Sequence, residues 1–561
     1  MKLLFRQNGV ETPIRVDSKN VWVGTRSEHT AAEQAGTLPA PAIVGIRDES
    51  DSNIITTVPS QNGTITYNGT EQTANWLNFN PSQLIIAGNS ATNVGTYTAR
   101  FSPRLGYKWS DNTTAPKTAS WTISKADADA TLSSDNITFN ANTLSTTVTI
   151  TSSTGQITSV SSDDLSIATV SYSDGSITIT STEKPGTTTI TISIAASDNY
   201  NQGEKIIAIT NSFPLVYGVS WDGTATTVLT RTDAATDFVD PVTVNINSQA
   251  PGSSPFDNIM PWAGMVEEER AGGLMVKIPK YWYKWTYEGE KGLKLQISPA
   301  AKNGFHVAPA HADRGDGKGE RDYVYVGEFH CAQDTYKSEL GAMPQINKTR
   351  AEFRTAIHNL GENIWQYDFA MYWTIAMLYL VEFADWNSQA KIGYGCGNDS
   401  SAEACGSCHS LTYHTGTSAT KRTLYGHVRY RNIEGLWDNL LTFCDGIYFS
   451  NRDIYCIKNP ADFSDSTGGT LVGARATTSD YVSNLTRPSV AGFEYTLYPR
   501  NVGGSDSTFL CDRVEHSGTG VVLSTGGGYG NRQSRGLFCM NGAGAVDNKG
   551  DFIGGRIMEL P

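Results

Sequence analysis

Gly526-Gly-Gly-Tyr-Gly-Asn-Arg-Gln-Ser-Arg535, then Gly536-Leu537-Phe538, then a polar run from Cys539 to Phe552, then Ile553-Gly554-Gly555-Arg556-Ile557, stand near the end of this 561-residue chain. Two short apolar anchors bracket runs of Gly, Asn, Ser and Asp that carry a few large side chains. Residues so small and polar do not fill a core. They make exposed loops pinned at fixed points, where binding residues usually sit on a rigid scaffold. The stretch reads as a presented surface, and the remainder of the chain as its frame.

The frame is large. A chain of 561 residues exceeds what one hydrophobic core organises, so several domains are expected. Hydrophobic residues make up 39% and charged residues 18%, both low, and Thr, Ser, Asn and Gly fill the difference, as in surface-exposed β-proteins. A net charge of −13 argues against a general binder of phosphate backbones, so no nucleic-acid partner is expected. The first residues, Met1-Lys2-Leu3-Leu4-Phe5-Arg6-Gln7, lack a signal-peptide core, and the longest apolar run, about residues 369–381, is too short to span a bilayer. No membrane insertion is expected. A surface-type protein without an export signal suggests assembly in a cytoplasm and release by lysis, which points towards a virus particle, with other export routes open. The eight cysteines all follow residue 330 and are expected to be mostly free, buried thiols.

Residues 1–50 read as a short attachment segment that docks on another protein, too small for a strong core alone. Residues 51–126 then alternate in short strands, with Tyr67-Asn68-Gly69-Thr70 as a tight turn and Trp109 and Trp121 as aromatic anchors. A second all-β stretch spans 127–212. There Ser176-Ile177-Thr178-Ile179-Thr180 alternates, and Lys184-Pro185-Gly186-Thr187 turns into Thr188-Thr189-Ile190-Thr191-Ile192. Both stretches resemble the immunoglobulin-like repeats of bacterial surface and phage-tail proteins, which act as spacers. From 213 the composition turns aromatic and mixed. Thr349-Arg350-Ala351-Glu352 has the capping-box pattern and predicts a helix to about residue 359, and a second helix is predicted over about 368–386. Helices set against many short strands predict an α+β domain over 213–561.

That last domain resembles the C-type-lectin-like fold of formylglycine-generating enzymes and of the variable proteins of diversity-generating retroelements. The phrases that carry the likeness are Pro261-Trp262-Ala263-Gly264-Met265, Val276-Lys277-Ile278-Pro279-Lys280-Tyr281-Trp282-Tyr283, Gly304-Phe305-His306-Val307-Ala308-Pro309, Gly435-Leu436-Trp437-Asp438-Asn439 and the two terminal anchors. In that family an error-prone reverse transcriptase rewrites codons near the C-terminus, and the altered residues form the ligand-binding face. The resemblance implies a variable region at about 526–557 with contact positions Tyr529, Asn531, Arg532, Gln533, Ser534, Arg535, Cys539, Met540, Asn541, Asp547, Lys549, Asp551 and Phe552. It implies scaffold positions Trp437, Gly536, Leu537, Phe538, Ile553, Gly554 and Arg556. Such a division requires the altered side chains to point outward from fixed backbone. Two departures stand out: Asp438-Asn439-Leu440-Leu441-Thr442-Phe443 replaces the family's Gly-Asn-Val-Trp-Glu-Trp, and Gly555 replaces its usual aromatic.

Other chemistry is thinner. Cys405-Gly-Ser-Cys408 has the spacing of half a zinc knuckle, near Cys396, His409 and His414, but lacks a second pair. It reads chiefly as an incidental or disulfide-forming pair. Asp313, Asp316, Glu320 and Asp322 lie in a glycine-rich loop that suits calcium but lacks an EF-hand register, and an exposed turn is the main reading. No catalytic nucleophile pairs recognisably with a base: Cys444, Cys511 and Cys539 do not match the surroundings of the formylglycine-generating cysteine pair. No enzyme activity and no cofactor are expected. The expected function is that of a phage tail-fibre or tail-tip adhesin, a virion protein and homotrimer. It would bind a bacterial surface receptor, protein or polysaccharide, and meet other tail proteins through its N-terminal segment. Alternatives are a bacterial cell-surface display protein diversified by a retroelement, or an enzyme on the same fold.

Overall fold

The computed structural model describes residues 3–7, 10–16, 21–23, 47–48, 53–140, 143–245, 250–398, 400–417, 426–531 and 534–561. Much of the expected attachment segment, and the expected contact residues Arg532 and Gln533, lie outside these. The chain is mostly β and falls into two compact units, Met1–Ser212 and Phe213–Pro561.

The first unit begins with an antiparallel sheet ordered Val21–Val23, Val10–Val16, Leu3–Gln7, Arg47–Asp48. Beyond it, a four-stranded sheet runs in the order Leu84–Ala87, Gly95–Pro103, Lys117–Ser124, Ile65–Thr66. Alternation along these strands sends Ala99, Phe101, Trp121 and Ile123 into one core with Ile55, Leu84 and Trp109. The two indoles keep their N–H groups satisfied: Trp109 donates to the Ala115 carbonyl and Trp121 to the Gly88 carbonyl, each at 2.9 Å.

Two further four-stranded sheets follow, each with one buried face, as in a sandwich. One is ordered Ala130–Leu132, Ser145–Ser153, Ser176–Ser181, Ala168–Ser173, and the other Asn136–Phe139, Gly203–Asn211, Gly186–Ile194, Ile157–Ser162. Period-two burial is clearest in Gly186–Ile194, where Thr188, Ile190, Ile192 and Ile194 point inward. The buried Asn211 amide closes one end by donating to the carbonyls of Ile167 (2.7 Å) and Lys184 (2.9 Å).

The second unit is built round the helix Phe369–Phe383, every residue of which is buried. A helix apolar on all sides has no solvent face and must be wrapped. Asp368 caps its N-terminus by accepting from the Met371 N–H at 2.7 Å. Ala384 ends it in a left-handed conformation, φ 50°. Polar atoms near its ends are matched: Asp368 meets the buried Arg314, and Glu382 meets Arg431 and the Tyr430 hydroxyl. The helix Arg350–His358 carries the predicted capping box in full, with Thr349 accepting from Glu352 N and Glu352 accepting from Thr349 N.

Around these helices lie strands from widely separated parts of the sequence. A sheet ordered Thr230–Asp233, Tyr217–Trp221, Gly292–Ser298, Trp282–Glu288, His306–Val307 contributes Val219, Tyr283, Leu295 and Ile297 to the core. A second is ordered Glu267–Arg270, Gly273–Pro279, Tyr323–Gly327, Ile557–Glu559, Ile364–Gln366, so a strand from near the C-terminus lies inside it. The largest is ordered Thr470–Ala474, Asp453–Cys456, Leu441–Ser450, Val522–Thr525, Met540–Gly544, Arg513–His516, Asp480–Leu485, Pro499–Val502, with Ile553–Gly554 paired in parallel to Leu441–Ser450. All eight cysteines are buried, and none is joined in a disulfide to another described residue.

Candidate binding face near the C-terminus

The described residues of 526–557 alternate between strand and loop, and backbone contacts fix them at several points. Val522–Thr525 delivers the chain to Gly526, where φ is +75° and a Cβ would meet the Leu436 carbonyl oxygen at 2.2 Å, so only glycine fits. Gly527 abuts the backbone of Arg535, which brings these two residues together. Tyr529 N donates to the Asn439 carbonyl at 2.9 Å. Asn531 accepts from Gly528 N at 2.8 Å, and its carbonyl accepts from the Ser534 hydroxyl at 2.7 Å.

The return of the loop is anchored by a buried carboxylate. Asp512 accepts from Gly536 N at 2.5 Å and Phe538 N at 2.9 Å, while the Ser388 hydroxyl accepts from Leu537 N at 2.9 Å. Burial pushes the Asp512 carboxyl up to about 7 against the pull of the two N–H groups. Leu537 and Phe538 then enter the core, where Phe538 packs edge-on against Trp386. Trp437, expected as scaffold, is fully buried and donates to the Gly393 carbonyl at 2.9 Å.

The second anchor is stronger. Arg556 is fully buried and donates to four carbonyls: Gly327 (2.7 Å), Glu328 (2.8 Å), Glu434 (2.6 Å) and Gly435 (3.0 Å). One guanidinium thus joins the strand Tyr323–Gly327, the turn at 434–435 and the C-terminal strand. Gly554 is crowded by Leu440, and at Gly555 a Cβ would lie 2.6 Å from the Phe353 ring. Phe353 already fills the space an aromatic at 555 would need, which accounts for the glycine there.

Between the anchors, the expected contact residues divide. Asp547, Lys549, Asp551 and Phe552 are exposed, Phe552 at 41%, and Tyr529, Asn531, Ser534, Arg535 and Asn541 are partly exposed. Tyr529 is hydrogen-bonded to Asp551; partial burial and this bond raise its phenol above the ordinary range. The Phe552 ring lies over Gly550, and the Phe552 carbonyl accepts from Leu441 N at 3.1 Å. Tyr529, Asp551 and Phe552 therefore stand together beside the 439–441 backbone. Arg535 forms a second group, paired to Glu515 at 2.9 Å, with Arg513 Nε 3.3 Å from the same carboxylate.

Cys539 and Met540 correct the expectation. They are 0% and 1% exposed, and Met540 opens the strand Met540–Gly544 between Val522–Thr525 and Arg513–His516. Pairing on both edges sets Met540 in the middle of the largest sheet, and Cys539 just before that strand is buried as well, so neither offers a contact. The sequence reading also missed members of the face and its supports. Val546 is 49% exposed beside Asp547, and Glu515, Asp512 and Asn439 hold the loop from outside the segment. Only the apolar character of Val546 in a polar run was a signal; the other three depend on long-range pairing. A cleft of about 290 Å³ lined by Asn387, Gln389, Ala390, Tyr394, Asp506 and Ser507 adjoins the loop, since Gln389 donates to the Arg535 carbonyl at 3.1 Å.

The sequence-suggested metal ligands do not assemble as spaced. Asp316 is ion-paired to Arg321, and Asp313 accepts from Gly315 N at 2.9 Å and lines a cleft of about 320 Å³ with Tyr283, Glu320, Lys458 and Glu494. An intraloop guanidinium thus takes the place of a cation at Asp316. Cys408 Sγ donates to the His427 carbonyl at 2.6 Å, and among the described residues neither Cys405 nor Cys408 belongs to a convergent donor group. Cys444, Cys511 and Cys539 are buried thiols held well above the ordinary range by burial, Cys539 at about 12, which keeps them protonated at neutral pH.

No family model matches the chain, and no curated protein does. Among solved structures, the chain is similar at 10% identity to a three-immunoglobulin-domain fragment of titin, I67–I69, both as an E-to-A variant and as the I-band fragment. Each match covers 48% of this chain and 90% of the titin chain, at a TM-score of 0.14.

Proposed function

We propose that the chain is a receptor-binding protein whose contact surface is the loop face formed by Tyr529, Asn531, Asp547, Lys549, Asp551 and Phe552. One observation carries this reading: the face presents mixed polar and aromatic side chains on backbone tied down at Gly526, Asp512 and Arg556, so contacts change without moving the frame. Tyr and Phe supply large contact area, and Asp and Lys supply directional polar contacts. The frame is read as a C-type-lectin-like domain and the two preceding all-β stretches as immunoglobulin-like spacers. That combination suits a phage tail adhesin, a virion protein that meets a bacterial surface receptor and gains avidity as a trimer. Diversification by a retroelement would suit exposed positions that alternate with buried anchors. A near-copy of the terminal coding stretch beside a reverse transcriptase gene, differing at adenines, would support that part.

The test uses the labelled full chain against a panel of intact bacteria, read by flow cytometry. The native protein binds at least one strain, and the combined variant Tyr529→Ala, Lys549→Ala, Phe552→Ala loses that binding. Lys549 and Phe552 are exposed and Tyr529 is partly so, so each substitution costs about 1 kcal/mol or less of stability. Undiminished binding by the triple variant, or no binding by the native protein to any strain, removes this assignment.

A further inference from the structure

Residues 396, 427 and 438 come from a short 3-10 turn, the entrance to the strand Val428–Tyr430 and the segment beneath the loop face. All three are buried: Cys396 1%, His427 1% and Asp438 2% exposed. Cys396 Sγ lies 3.4 Å from His427 Nδ1, which lies 3.2 Å from Asp438 Oδ2, and the three donor atoms are all within 4.8 Å of one another. Thiolate, imidazole and carboxylate converging at these separations is the donor chemistry of zinc. A tetrahedral zinc ion with ordinary bond lengths sets its sulfur and nitrogen ligands about 3.6 Å apart, and nitrogen and oxygen about 3.3 Å apart. The observed spacings agree with both.

Two independent features point the same way. The Asp438 oxygen facing His427, Oδ2, also accepts from Val428 N at 2.8 Å, whereas Oδ1 of the same carboxylate is buried with no hydrogen-bond partner, an unmet acceptor of a kind that costs stability unless a cation or donor satisfies it. The other ring nitrogen of His427 lies 3.0 Å from the Ala404 carbonyl, the kind of outer-shell partner that orients a ligating imidazole with Nδ1 towards the other two donors. The second convergent group, Glu267, Glu328 and His409, differs: Arg429 is already ion-paired to Glu267 and lies 3.9 Å from Glu328, so a resident guanidinium supplies the positive charge.

We infer that Cys396, His427 and Asp438 form a structural zinc site that ties the 395–398 turn to the base of the binding face. One thiolate and one carboxylate neutralise the ion's two charges, which suits a buried position. Asp438 is followed by Asn439, whose carbonyl holds Tyr529 N, so the metal braces the loop without touching a receptor. The inference stands whether or not the receptor reading holds.

The full chain, stripped with chelator under reducing conditions, is titrated with cobalt(II) and separately melted with and without one equivalent of zinc. The expected result is one cobalt per chain with a thiolate charge-transfer band, and a melting transition raised by zinc. Cys396→Ser and Asp438→Asn weaken cobalt binding on the order of a hundredfold or more, whereas Cys405→Ser and Cys408→Ser leave the band in place. Absence of both the band and the zinc-dependent melting shift in the native chain overturns the assignment, and needs no variant to fold. Survival of the band in Cys396→Ser, or its loss in Cys408→Ser, overturns it as well.

Discussion

Replacing Arg556 by Leu removes a group that joins three parts of the second unit. Its four hydrogen bonds go to carbonyls at 2.6 to 3.0 Å. Leucine fills part of the space and donates nothing. The Glu328 carbonyl retains a partner in Glu434 N at 2.9 Å, so the loss falls mainly on the oxygens of Gly327, Glu434 and Gly435. A stranded buried acceptor costs about 1–3 kcal/mol. Desolvation of the guanidinium, which holds its pKa below the ordinary arginine value, opposes part of that in the native protein. The net expectation is a loss of about 3–5 kcal/mol, a large share of an ordinary domain's stability. Urea unfolding of the full chain, followed by tryptophan fluorescence, measures it through Trp262, Trp373, Trp386 and Trp437, all fully buried in this unit. A loss below about 1 kcal/mol would refute the view that this arginine pins the C-terminal frame.

Two further outcomes follow from local geometry. His311 is fully buried with Nε2 3.0 Å from the Ile278 carbonyl, and burial first, then Lys280 and Arg321, pushes its pKa down to about 4 from 6.5. The unfolded chain therefore binds the extra proton first, so this stability is full above pH 6.5 and is lost as pH falls towards 4. The loss amounts to about 3 kcal/mol at most. In His311→Gln the fall in stability between pH 6.5 and 4 is shallower than in the native chain, as urea midpoints at several pH values show; parallel curves would contradict it. Gly526→Ala places a Cβ 2.2 Å from the Leu436 carbonyl at positive φ, so its expected cost exceeds about 2 kcal/mol in the same unfolding assay; a neutral result would mean the turn is not fixed.

Local signals were legible where chemistry is local. The capping box at Thr349 and Glu352 marked a helix start, and the apolar run at about 369–381 marked a buried helix; its amphipathic character was expected, whereas every residue of Phe369–Phe383 is buried. The anchors Leu537, Phe538 and Ile553 were visible as apolar pairs in polar surroundings and are buried. Cys539 and Met540 were misplaced because the strand they enter continues as Asn-Gly-Ala-Gly, a composition typical of loops; pairing with Thr525 and Val514 overrides it. The donor group at Cys396 was half visible. Spacing drew attention to Cys405 and Cys408, whereas the fold brings in His427 and Asp438 from 31 residues away and beyond. Sequence spacing reports neighbours along the chain and cannot report that convergence.

The central claim is a fixed frame with interchangeable contacts, and a display library tests it most directly. Tyr529, Asn531, Asp547, Lys549, Asp551 and Phe552 are randomised in one library, and Leu537, Phe538, Cys539, Met540 and Arg556 in another. Both are sorted for the folded state and then for binding to the bacterial panel. The account predicts that most members of the first library stay folded and that strain preference shifts among them, while most members of the second unfold. Equal tolerance in the two libraries, or unchanged strain preference throughout the first, would contradict it.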